Sequence, residues 1–294
     1  MTRYMGGLQM AEILKGAPVA NALTEQLAFR AEALKARGVT PTLAIVRVGE
    51  RPDDVAYERG AMKRCDKIGI AVSSVTLPAD VKQGALMAQI ARLNSDSAIN
   101  GVLMFRPLPP QLDEAAACEA LPPAKDLDGI TSGSAAALYS GAGAGFAPCT
   151  AEAVVALLKH YGVELSGKNV AVVGRSLVIG RPVSMLLLGE NATVTMCHSR
   201  TRDLASVIRR ADIVVAAMGK AEVLGAEYFT PGQTVIDVGI NYSEAKGKLV
   251  GDVDFDAVEP IVAAITPVPA GVGSVTTAVL ASHVVRAAER TAKW

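Results

Sequence analysis

The chain has 294 residues, of which half are hydrophobic and 4% are aromatic. This length allows two domains with separate cores, and the composition suits helices packed on a parallel sheet. Lysine plus arginine and aspartate plus glutamate number 29 each, so no basic excess favours binding to nucleic acid or anionic lipid. No apolar run reaches membrane-spanning length, and the first residues lack the pattern of a secretory signal. We therefore expect a cytoplasmic protein.

The cysteines and histidines are few and scattered. Four cysteines and three histidines occur, with no C-x-x-C pair and no cluster at metal-ligand spacing. We expect neither a metal site nor a disulfide framework, and we interpret the cysteines as buried free thiols. The residues are Cys65, Cys118, Cys149 and Cys197, with His160, His198 and His283.

The first half of the chain alternates between helix and strand patterns. The apolar stripe over residues 17–37, followed by Gly38, predicts a helix, and the run Thr42–Val48 predicts a buried strand. This alternation indicates a parallel sheet with right-handed crossovers. Its further predicted elements are a helix over 54–68, a strand over Ala71–Leu77, a helix carrying Leu86, Ile90 and Leu93, and a strand over Gly101–Phe105.

Residues 121–150 interrupt this pattern with proline, glycine, serine and alanine, and we place the change of domain near 148–150. A second alternation then begins with a helix over Ala151–Tyr161. It ends with a helix over Val275–Ala288 that is apolar on one side, and we expect this helix to pack on the first domain. The predicted strands between them are Asn169–Val173, Thr193–Cys197, Ile213–Ala217 and Thr234–Val238.

These patterns predict an α/β protein of two domains. The N-terminal α/β domain would comprise residues 1–149 and the C-terminal helix, 275–294. Residues 150–274 would form a Rossmann-type domain. The strand Asn169–Val173 runs into a glycine-bounded turn, Gly174–Pro182, where a helix N-terminus can bind a pyrophosphate. The spacing is not G-x-G-x-x-G, so the turn alone is equally consistent with an ordinary tight connection.

The end of the next strand indicates which nucleotide would bind. NAD-specific units carry an acidic residue there, about 20 residues after the turn, which binds the ribose hydroxyls. Here the strand ends in His198, Ser199, Arg200 and Thr201, with no carboxylate to repel a 2′-phosphate. Arg175 and Arg200 can supply positive charge and Ser199 a hydrogen bond, which favours NADP. The alternative is that these arginines are solvated surface charge.

A series of short motifs extends over essentially the whole chain. They are VGERPDDVAY (48–57), PLP (107–109), KDLDG (125–129), PCT (148–150), VVGRSLVIGRP (172–182), CHSRT (197–201), DVGIN (237–241), GDVDF (251–255) and ITPVPAGVGSVT (265–276). Because these motifs occur together and in this order, the chain resembles the bifunctional methylenetetrahydrofolate dehydrogenase/cyclohydrolase family, the FolD proteins. Any one of these motifs alone would be unspecific.

This resemblance implies a homodimer that oxidises 5,10-methylenetetrahydrofolate with NADP, with the folate in a cleft between a folate-site domain and the Rossmann-type NADP-binding domain. By motif match, Tyr57 would stack on or orient the folate, and Asp128 would bind the amino and ring nitrogens of the pterin. We name both as catalytic residues, the alternatives being a core aromatic and a turn cap. NADP would contact Gly174, Arg175, Ser176, Ser199, Arg200 and Ile240, and Pro267, Pro269, Gly271 and Thr276 would shape the pocket near the pterin and nicotinamide.

The chain departs from the family pattern at the folate site. The family has a lysine four residues after the tyrosine, on the same helical face, where this chain has Ala61. It also has a glutamine before L-P-L-P, where this chain has Phe105 in the substrate site. Strand alternation would place Phe105 and Arg106 on opposite faces, so we expect only one of them to enter the pocket. Further departures are Ala151, Ala153, Ala270 and Ser274.

Losing these two polar groups affects the family's two reactions differently. Hydride transfer needs alignment of two bound partners and no protein base. Hydrolysis of the methenyl product needs general acid–base help, commonly worth about two to four orders of magnitude. Lys63 lies about 120° around the helix from Tyr57, and Arg64 cannot act as a base.

We therefore hypothesise a dehydrogenase whose cyclohydrolase activity is lost or weak. Three alternatives stay open. They are an enzyme with both activities, a non-catalytic paralogue that binds NADP or folate, and an enzyme that acts on another one-carbon carrier.

Overall fold

The computed structural model describes Tyr4–Met5 and residues 8–292. Residues 1–3, 6–7 and 293–294, which the predicted N-terminal domain includes, lie outside the described residues. The chain divides into two compact units. The six-stranded unit comprises the segment up to Ala20 and Thr150–Thr276, and the three-stranded unit comprises Asn21–Cys149 and the segment from Thr277.

The strands are short, and most of them pair in parallel. In chain order they are β1 (Tyr4–Met5), β2 (Leu8–Gln9), β3 (Glu12–Ile13), β4 (Thr42–Val48), β5 (Ala71–Leu77), β6 (Gly101–Met104), β7 (Asn169–Val173), β8 (Thr193–Cys197), β9 (Ile213–Ala216), β10 (Thr234–Asp237), β11 (Asn241–Ser243), β12 (Lys248–Val250) and β13 (Ala264–Ile265). The longer strands match the predicted ranges to within a residue. The sequence patterns do not predict the two- and three-residue strands.

The helices alternate with these strands. In chain order they are α1 (Gly16–Lys35), α2 (Pro52–Ile68), α3 (Gln83–Ser95), α4 (Glu114–Glu119), α5 (Ser132–Ser140), α6 (Cys149–His160), α7 (Gly180–Gly189), α8 (Leu204–Arg209), α9 (Phe255–Val258) and α10 (Thr276–Thr291). Helix α5 lies in the stretch that the sequence pattern leaves irregular. It forms because the hydroxyl of Thr131 accepts a hydrogen bond from the amide of Ser134 (3.0 Å) and caps the first turn.

The six-stranded unit is built on a sheet in which every pair is parallel, in the order β3-β13-β10-β9-β7-β8. Alternate apolar residues of its strands enter one core, which includes Ala171, Val214, Val235 and Ile265. Strands β9 and β7 are buried along almost their whole length, as expected for a parallel sheet covered on both faces.

The N-terminal segment belongs to this sheet, whereas the sequence patterns place it in the folate-site domain. The amide of Glu12 donates to the carbonyl of Ala263 (2.8 Å), and the amide of Leu14 donates to the carbonyl of Ile265 (2.9 Å). A strand of two residues has no detectable alternation, so only its pairing partner reveals it. Helix α1 then continues from Gly16 into the three-stranded unit.

The three-stranded unit contains the parallel sheet β5-β4-β6. Its core lies under α3 and includes Val46, Leu86, Ile90 and Val102. Helix α10 belongs to the same unit, where the bidentate pair between Arg30 and Glu289 (2.9 and 2.6 Å) joins it to α1. The segment that carries KDLDG runs beside β6 and hydrogen-bonds to it.

Two charged residues of KDLDG are structural. The ammonium group of Lys125 donates to the carbonyls of Leu93 (2.9 Å), Asn94 (2.9 Å) and Asp96 (2.7 Å), which closes the C-terminal end of α3. The fully buried Asp126 accepts hydrogen bonds from the amides that lead into α5. Both residues therefore fix the backbone that precedes Asp128.

All four cysteines are buried and form no disulfide. Over residues 10–292, no group of three or more histidine, cysteine, aspartate and glutamate side chains is arranged to hold a metal ion. The helices of the described part of the chain include none with both the length and the apolar character needed to cross a membrane.

We expect Lys125→Met to lower the free energy of unfolding by about 2 kcal/mol, because three helix-end carbonyls lose a charged donor. Urea denaturation measures this difference. The matched control is Lys82→Met, since Lys82 is exposed next to the same helix. Equal stability of the two variants would contradict the structural role of Lys125.

Candidate functional site

The carboxyl edge of the six-stranded sheet brings together segments that are distant in sequence. Val173 at the end of β7 lies level with Cys197 of β8 and with Ala216 of β9. The pairing continues past the strands, because the amide of Gly174 donates to the carbonyl of Cys197 (3.0 Å) and the amide of Ala217 donates to that of Val173 (2.8 Å). The turns that follow these strands are therefore neighbours.

The turn after β7 requires glycine at its first position. Gly174 has a φ of +140°, and a Cβ atom there would collide with the carbonyl oxygen of Ala217. The hydroxyl of Ser176 accepts a hydrogen bond from the amide of Ile179 (3.1 Å), which closes the turn before α7. Arg175 and Ser176 are exposed. This combination of bare backbone, a hydroxyl and a guanidinium at the start of a helix suits a phosphate group.

The turn after β8 carries the residues predicted to select the nucleotide. The amide of His198 donates to Oγ1 of Thr201 (2.8 Å), and the amide of Arg200 donates to Nδ1 of His198 (3.1 Å). The side chains of Ser199 and Arg200 are exposed on this tight turn. A 2′-phosphate at this position would meet a hydroxyl and a cation.

A cavity of about 210 Å³ lies beyond the ends of β10 and β13. The predicted residues Ile240, Pro267, Pro269 and Gly271 line it, together with residues 237–239, Leu249 and the rest of the loop 267–274. Thr276 does not line this cavity. It is buried, and its hydroxyl donates to the carbonyl of Gly273 (3.1 Å), so it supports the loop from its C-terminal end.

Ala270 departs from the family pattern within this loop. Its φ is +81°, in the left-handed region that glycine adopts freely and alanine adopts at a cost of about 1 kcal/mol. Its carbonyl accepts a hydrogen bond from the amide of Gly16 (2.8 Å), which holds the residue in place. A glycine at this position would adopt the same φ without that cost.

A buried carboxylate organises the loop that follows β9. Asp252 is fully buried and accepts hydrogen bonds from the amides of Met218, Gly219 (3.1 Å) and Lys220 (2.8 Å). The side chain of Asn241, next to Ile240, donates to it as well (3.0 Å). One carboxylate therefore fixes two segments of the sheet edge.

Asp237 is a second buried carboxylate of this edge, at the end of β10. It accepts hydrogen bonds from the amides of Gly239 (2.9 Å), Asp252 (3.0 Å) and Val253 (2.8 Å). Burial, with a smaller effect from the charge of Asp252, raises the pKa of Asp237 from 3.8 to about 7, although the three amides oppose this shift.

The raised pKa of Asp237 makes the stability of the protein depend on pH. The folded state holds this proton more tightly than the unfolded state, whose pKa is 3.8, so stability falls as pH rises toward the folded value of about 7. We expect Asp237→Asn, which removes the titration, to gain stability relative to the unsubstituted protein between about pH 5 and about pH 8. Urea denaturation at both pH values measures this gain.

The control for this experiment is Asp256→Asn, because Asp256 is exposed. That variant should differ from the unsubstituted protein by the same amount at both pH values. A pH-independent difference for Asp237→Asn would show that the buried carboxylate stays ionised throughout.

In the three-stranded unit, Tyr57 of α2 meets Phe105, which directly follows β6. The two ring centroids are 5.9 Å apart and the planes are 83° apart, an edge-to-face contact. Both side chains are half-buried. Tyr57 is therefore partly open to solvent rather than enclosed in the core.

The position one helical turn after Tyr57 is apolar and closed. Ala61 is 1% exposed. Lys63 is exposed elsewhere on the helix, and the guanidinium of Arg64 donates to Oγ1 of Thr24 (2.7 Å). Neither Lys63 nor Arg64 therefore occupies the position of Ala61, and the helical spacing predicts this for Lys63.

Asp128 is half-buried, and its neighbours hold it in place. The amide of Cys149 donates to Oδ1 of Asp128 (3.0 Å). The carbonyl of Leu127 accepts from the thiol of Cys149 (3.4 Å) and lies 2.8 Å from Nδ1 of the buried His283. Burial raises the pKa of Asp128, whereas the hydrogen bonds from Cys149 and the charges of Arg106 and His283 lower it. Oδ1 of Asp128 thus accepts a hydrogen bond from the backbone of the protein.

That only one of Phe105 and Arg106 enters the pocket stays a prediction. Phe105 contacts Tyr57, and the charge of the half-buried Arg106 acts on Asp128. β6 ends at Met104, but the amide of Phe105 still donates to the carbonyl of Val46 in β4 (3.0 Å), and the backbone bends at Arg106.

The sequence patterns do not assign a role to three residues that shape these sites, Asp237, Asp252 and His283. Asp237 and Asp252 lie within motifs that were recognised, and a lone carboxylate in an apolar run was the available signal. His283 carries no such signal, because its relation to Asp128 arises from a helix distant in the chain.

Together these features define a two-domain α/β protein with a nucleotide-type sheet edge in one unit and an aromatic and carboxylate site in the other. Two family models match the chain. Tetrahydrofolate dehydrogenase/cyclohydrolase, catalytic domain, matches residues 14–128, and the NAD(P)-binding domain of the same family matches residues 148–292. The chain belongs to the tetrahydrofolate dehydrogenase/cyclohydrolase family, which confirms the family and the fold class predicted from its motifs.

Curated and solved relatives agree with this assignment. The bifunctional protein FolD of Carboxydothermus hydrogenoformans is 52% identical over 95% of this chain and 98% of its own length. The crystal structure of the bifunctional enzyme FolD from Campylobacter jejuni has a TM-score of 0.91 at 36% identity, over 96% of this chain and 99% of that one. The FolD of Trypanosoma brucei, complexed with NADP cofactor and inhibitor, has a TM-score of 0.89 at 38% identity, over 97% and 99%.

Proposed function

We propose that this protein oxidises 5,10-methylenetetrahydrofolate to 5,10-methenyltetrahydrofolate with NADP, as a homodimer, and that its cyclohydrolase activity is lost or weak. One observation carries the proposal. The two departures from the family pattern around Tyr57 are the closed methyl group of Ala61 and the ring of Phe105, whereas the residues predicted for the nucleotide and Asp128 are retained. Hydrolysis of the methenyl product, which needs a proton carrier, has thus lost its polar groups. Hydride transfer, which needs alignment of the two substrates, has kept the residues that would bind them.

The sheet edge fits NADP. The Gly174 turn leads through the exposed Arg175 and Ser176 to the start of α7, where a helix N-terminus suits a pyrophosphate. Arg175, Ser199 and Arg200 are exposed at the adjoining turns and match a 2′-phosphate. The Trypanosoma brucei relative was solved with NADP, which supports this choice. The cavity lined by Ile240, Pro267, Pro269 and Gly271 would take the nicotinamide end, with Thr276 supporting its loop.

Bound NADP supplies the acceptor for the hydride. The lone pair of a folate nitrogen expels that hydride from the methylene carbon, so no protein group has to accept a proton. The task of the protein is to hold the two partners in a reactive alignment. Tyr57 would pack on the folate, and Asp128 would accept hydrogen bonds from the amino group and N3 of the pterin. The bond from Cys149 limits the rotation of Asp128.

The proposal predicts NADP-dependent oxidation of methylenetetrahydrofolate by the purified protein. Absorbance of the reduced nicotinamide gives the rate, and chromatography identifies the methenyl product. We expect kcat/KM for NADP to exceed that for NAD, because the 2′-phosphate meets cations instead of a carboxylate. Nucleotide binding without turnover would overturn the proposal in favour of a non-catalytic paralogue.

Single substitutions test which arginines produce the preference for NADP over NAD. Arg175→Ala and Arg200→Ala should each lower kcat/KM for NADP by about tenfold and leave that for NAD unchanged, because only NADP loses a charged hydrogen bond. The matched control is Arg202→Ala, because Arg202 is an exposed arginine two residues after Arg200. An equal loss with both nucleotides would mean that these arginines do not contact the 2′-phosphate.

Hydrolysis of the methenyl product makes different demands on the site. Water must add to the cation and lose a proton, and a ring C–N bond must then open, which calls for a positioned acid and base. Ala61 and Phe105 offer neither. Arg64 donates to Thr24 (2.7 Å), and a guanidinium cannot act as a base at ordinary pH.

We expect the purified protein to hydrolyse methenyltetrahydrofolate no faster than the uncatalysed reaction, as followed by the absorbance of the methenyl compound. Ala61→Lys, alone and together with Phe105→Gln, should raise this rate, by up to about a hundredfold for the double variant, because both polar groups return. The matched control is Met62→Lys, which adds the same amine to an exposed position of α2.

Two results would contradict this part of the proposal. Robust hydrolysis by the unsubstituted protein would show that it is fully bifunctional and that other groups replace the lysine. Equal acceleration by Ala61→Lys and Met62→Lys would show that the amine acts without a defined position.

A further inference from the structure

Strand β6, which precedes Arg106, pairs with the KDLDG segment, which carries Asp128. The amide of Val102 donates to the carbonyl of Lys125 (2.7 Å), and the amide of Leu127 donates to the carbonyl of Val102 (3.4 Å). Val102 and Asp126 form a parallel bridge. This pairing holds the turn of Leu127 and Asp128 next to β6, and Arg106 lies two residues beyond the end of that strand.

The guanidinium of Arg106 is half-buried. Within residues 10–292 its side chain makes no hydrogen bond and no ion pair, in contrast to Arg47, which is paired with Glu58 (2.8 Å). A guanidinium carries five donors, and partial burial without an acceptor is unfavourable. Such a group beside a carboxylate is suited to a ligand that brings its own acceptor.

The pterin ring offers that acceptor next to two donors. Its 2-amino group, its N3–H and its 4-oxo oxygen lie in a row along one edge. A carboxylate matches the two adjoining N–H donors, and a cation beside it matches the oxygen. Asp128 and Arg106 present these two partners in the same neighbourhood.

We propose that Arg106 is a substrate-binding residue that donates to the 4-oxo oxygen of the pterin while Asp128 accepts from the 2-amino group and N3–H, so that the pair selects 4-oxo over 4-amino pteridines. This assignment rests on the proposed function, because it takes Asp128 as the pterin carboxylate. It gives Arg106 a direct role in recognition, beside the two residues predicted from the motifs.

The same geometry sets the pH range of binding. Asp128 is faced by Arg106 from the turn after β6, by His283 from α10 and by the amide and thiol of Cys149 from α6. Burial raises the pKa of Asp128, and Arg106 opposes that effect. Without the guanidinium, the pKa of Asp128 rises further, so the carboxylate protonates at a higher pH and binding is lost from that pH downward.

Calorimetry with two ligands tests the contact directly. Tetrahydrofolate carries a 4-oxo oxygen and N3–H, whereas 4-amino-4-deoxytetrahydrofolate carries a 4-amino group and an N3 without hydrogen. Their dissociation constants give a selectivity ratio, and the change of this ratio in an Arg106 variant reports the contribution of Arg106. We expect the unsubstituted protein to prefer the 4-oxo ligand and Arg106→Met to reduce the ratio by about tenfold, the loss expected for one charged hydrogen bond. Arg106→Lys, which keeps a charged donor, should retain most of the preference.

Arg59→Met is the matched control, because Arg59 is exposed on α2. It should keep the full ratio. In steady-state assays, Arg106→Met should raise KM for the folate without changing KM for NADP, and the acid limb of its kcat/KM profile should move to higher pH. Arg106→Lys should keep the original limb, a result that a purely structural role of Arg106 would not produce.

The outcomes separate this inference from the proposed function. An unchanged selectivity ratio in Arg106→Met, with normal NADP-dependent turnover, overturns the role of Arg106 and leaves the dehydrogenase intact. A reduced ratio in a protein without turnover supports the contact and overturns the dehydrogenase. A preference of the unsubstituted protein for the 4-amino ligand overturns the inference even if Arg106→Met does not fold.

Discussion

In a parallel sheet every strand ends at the same edge, and both larger sheets of this protein are built in that way. The register therefore decides which turns become neighbours. In the six-stranded unit, the Gly174 turn lies beside the turn of Ser199 and Arg200 because Val173 pairs with Cys197. In the three-stranded unit, the pairing of Val102 with Asp126 brings the turn after β6 to Asp128. Both candidate sites depend on this one constraint.

Buried carboxylates stabilise these edges at an electrostatic cost. Asp252 and Asp237 accept hydrogen bonds from backbone amides that would otherwise lack partners. Burial strengthens these bonds, and it also raises the pKa of Asp237 to about 7. Asp128 is in a similar position, with Cys149 and Arg106 opposing the effect of burial. The carboxylates thus hold these loops by accepting hydrogen bonds from their backbone amides.

In the proposed function, the folate site loses one reaction and keeps another. Ala61 and Phe105 replace polar side chains by apolar ones that pack closely, so the fold around Tyr57 is preserved. Alignment survives such an exchange because it depends on shape. Acid–base chemistry does not survive it, because a proton carrier cannot be replaced by a methyl group or a phenyl ring.

Sequence alone determined the longer strands and helices, the α/β class and the family. Their signals are local periodicity and ordered motifs, which need no knowledge of distant contacts. Tertiary structure alone decided that the strand Glu12–Ile13 joins the six-stranded sheet and that Arg106 and His283 act on Asp128. Short strands have no readable period, and the pairing of charges across elements depends on register and burial. Register and burial arise only when the chain is folded, and they cannot be read from residues that are neighbours in the sequence.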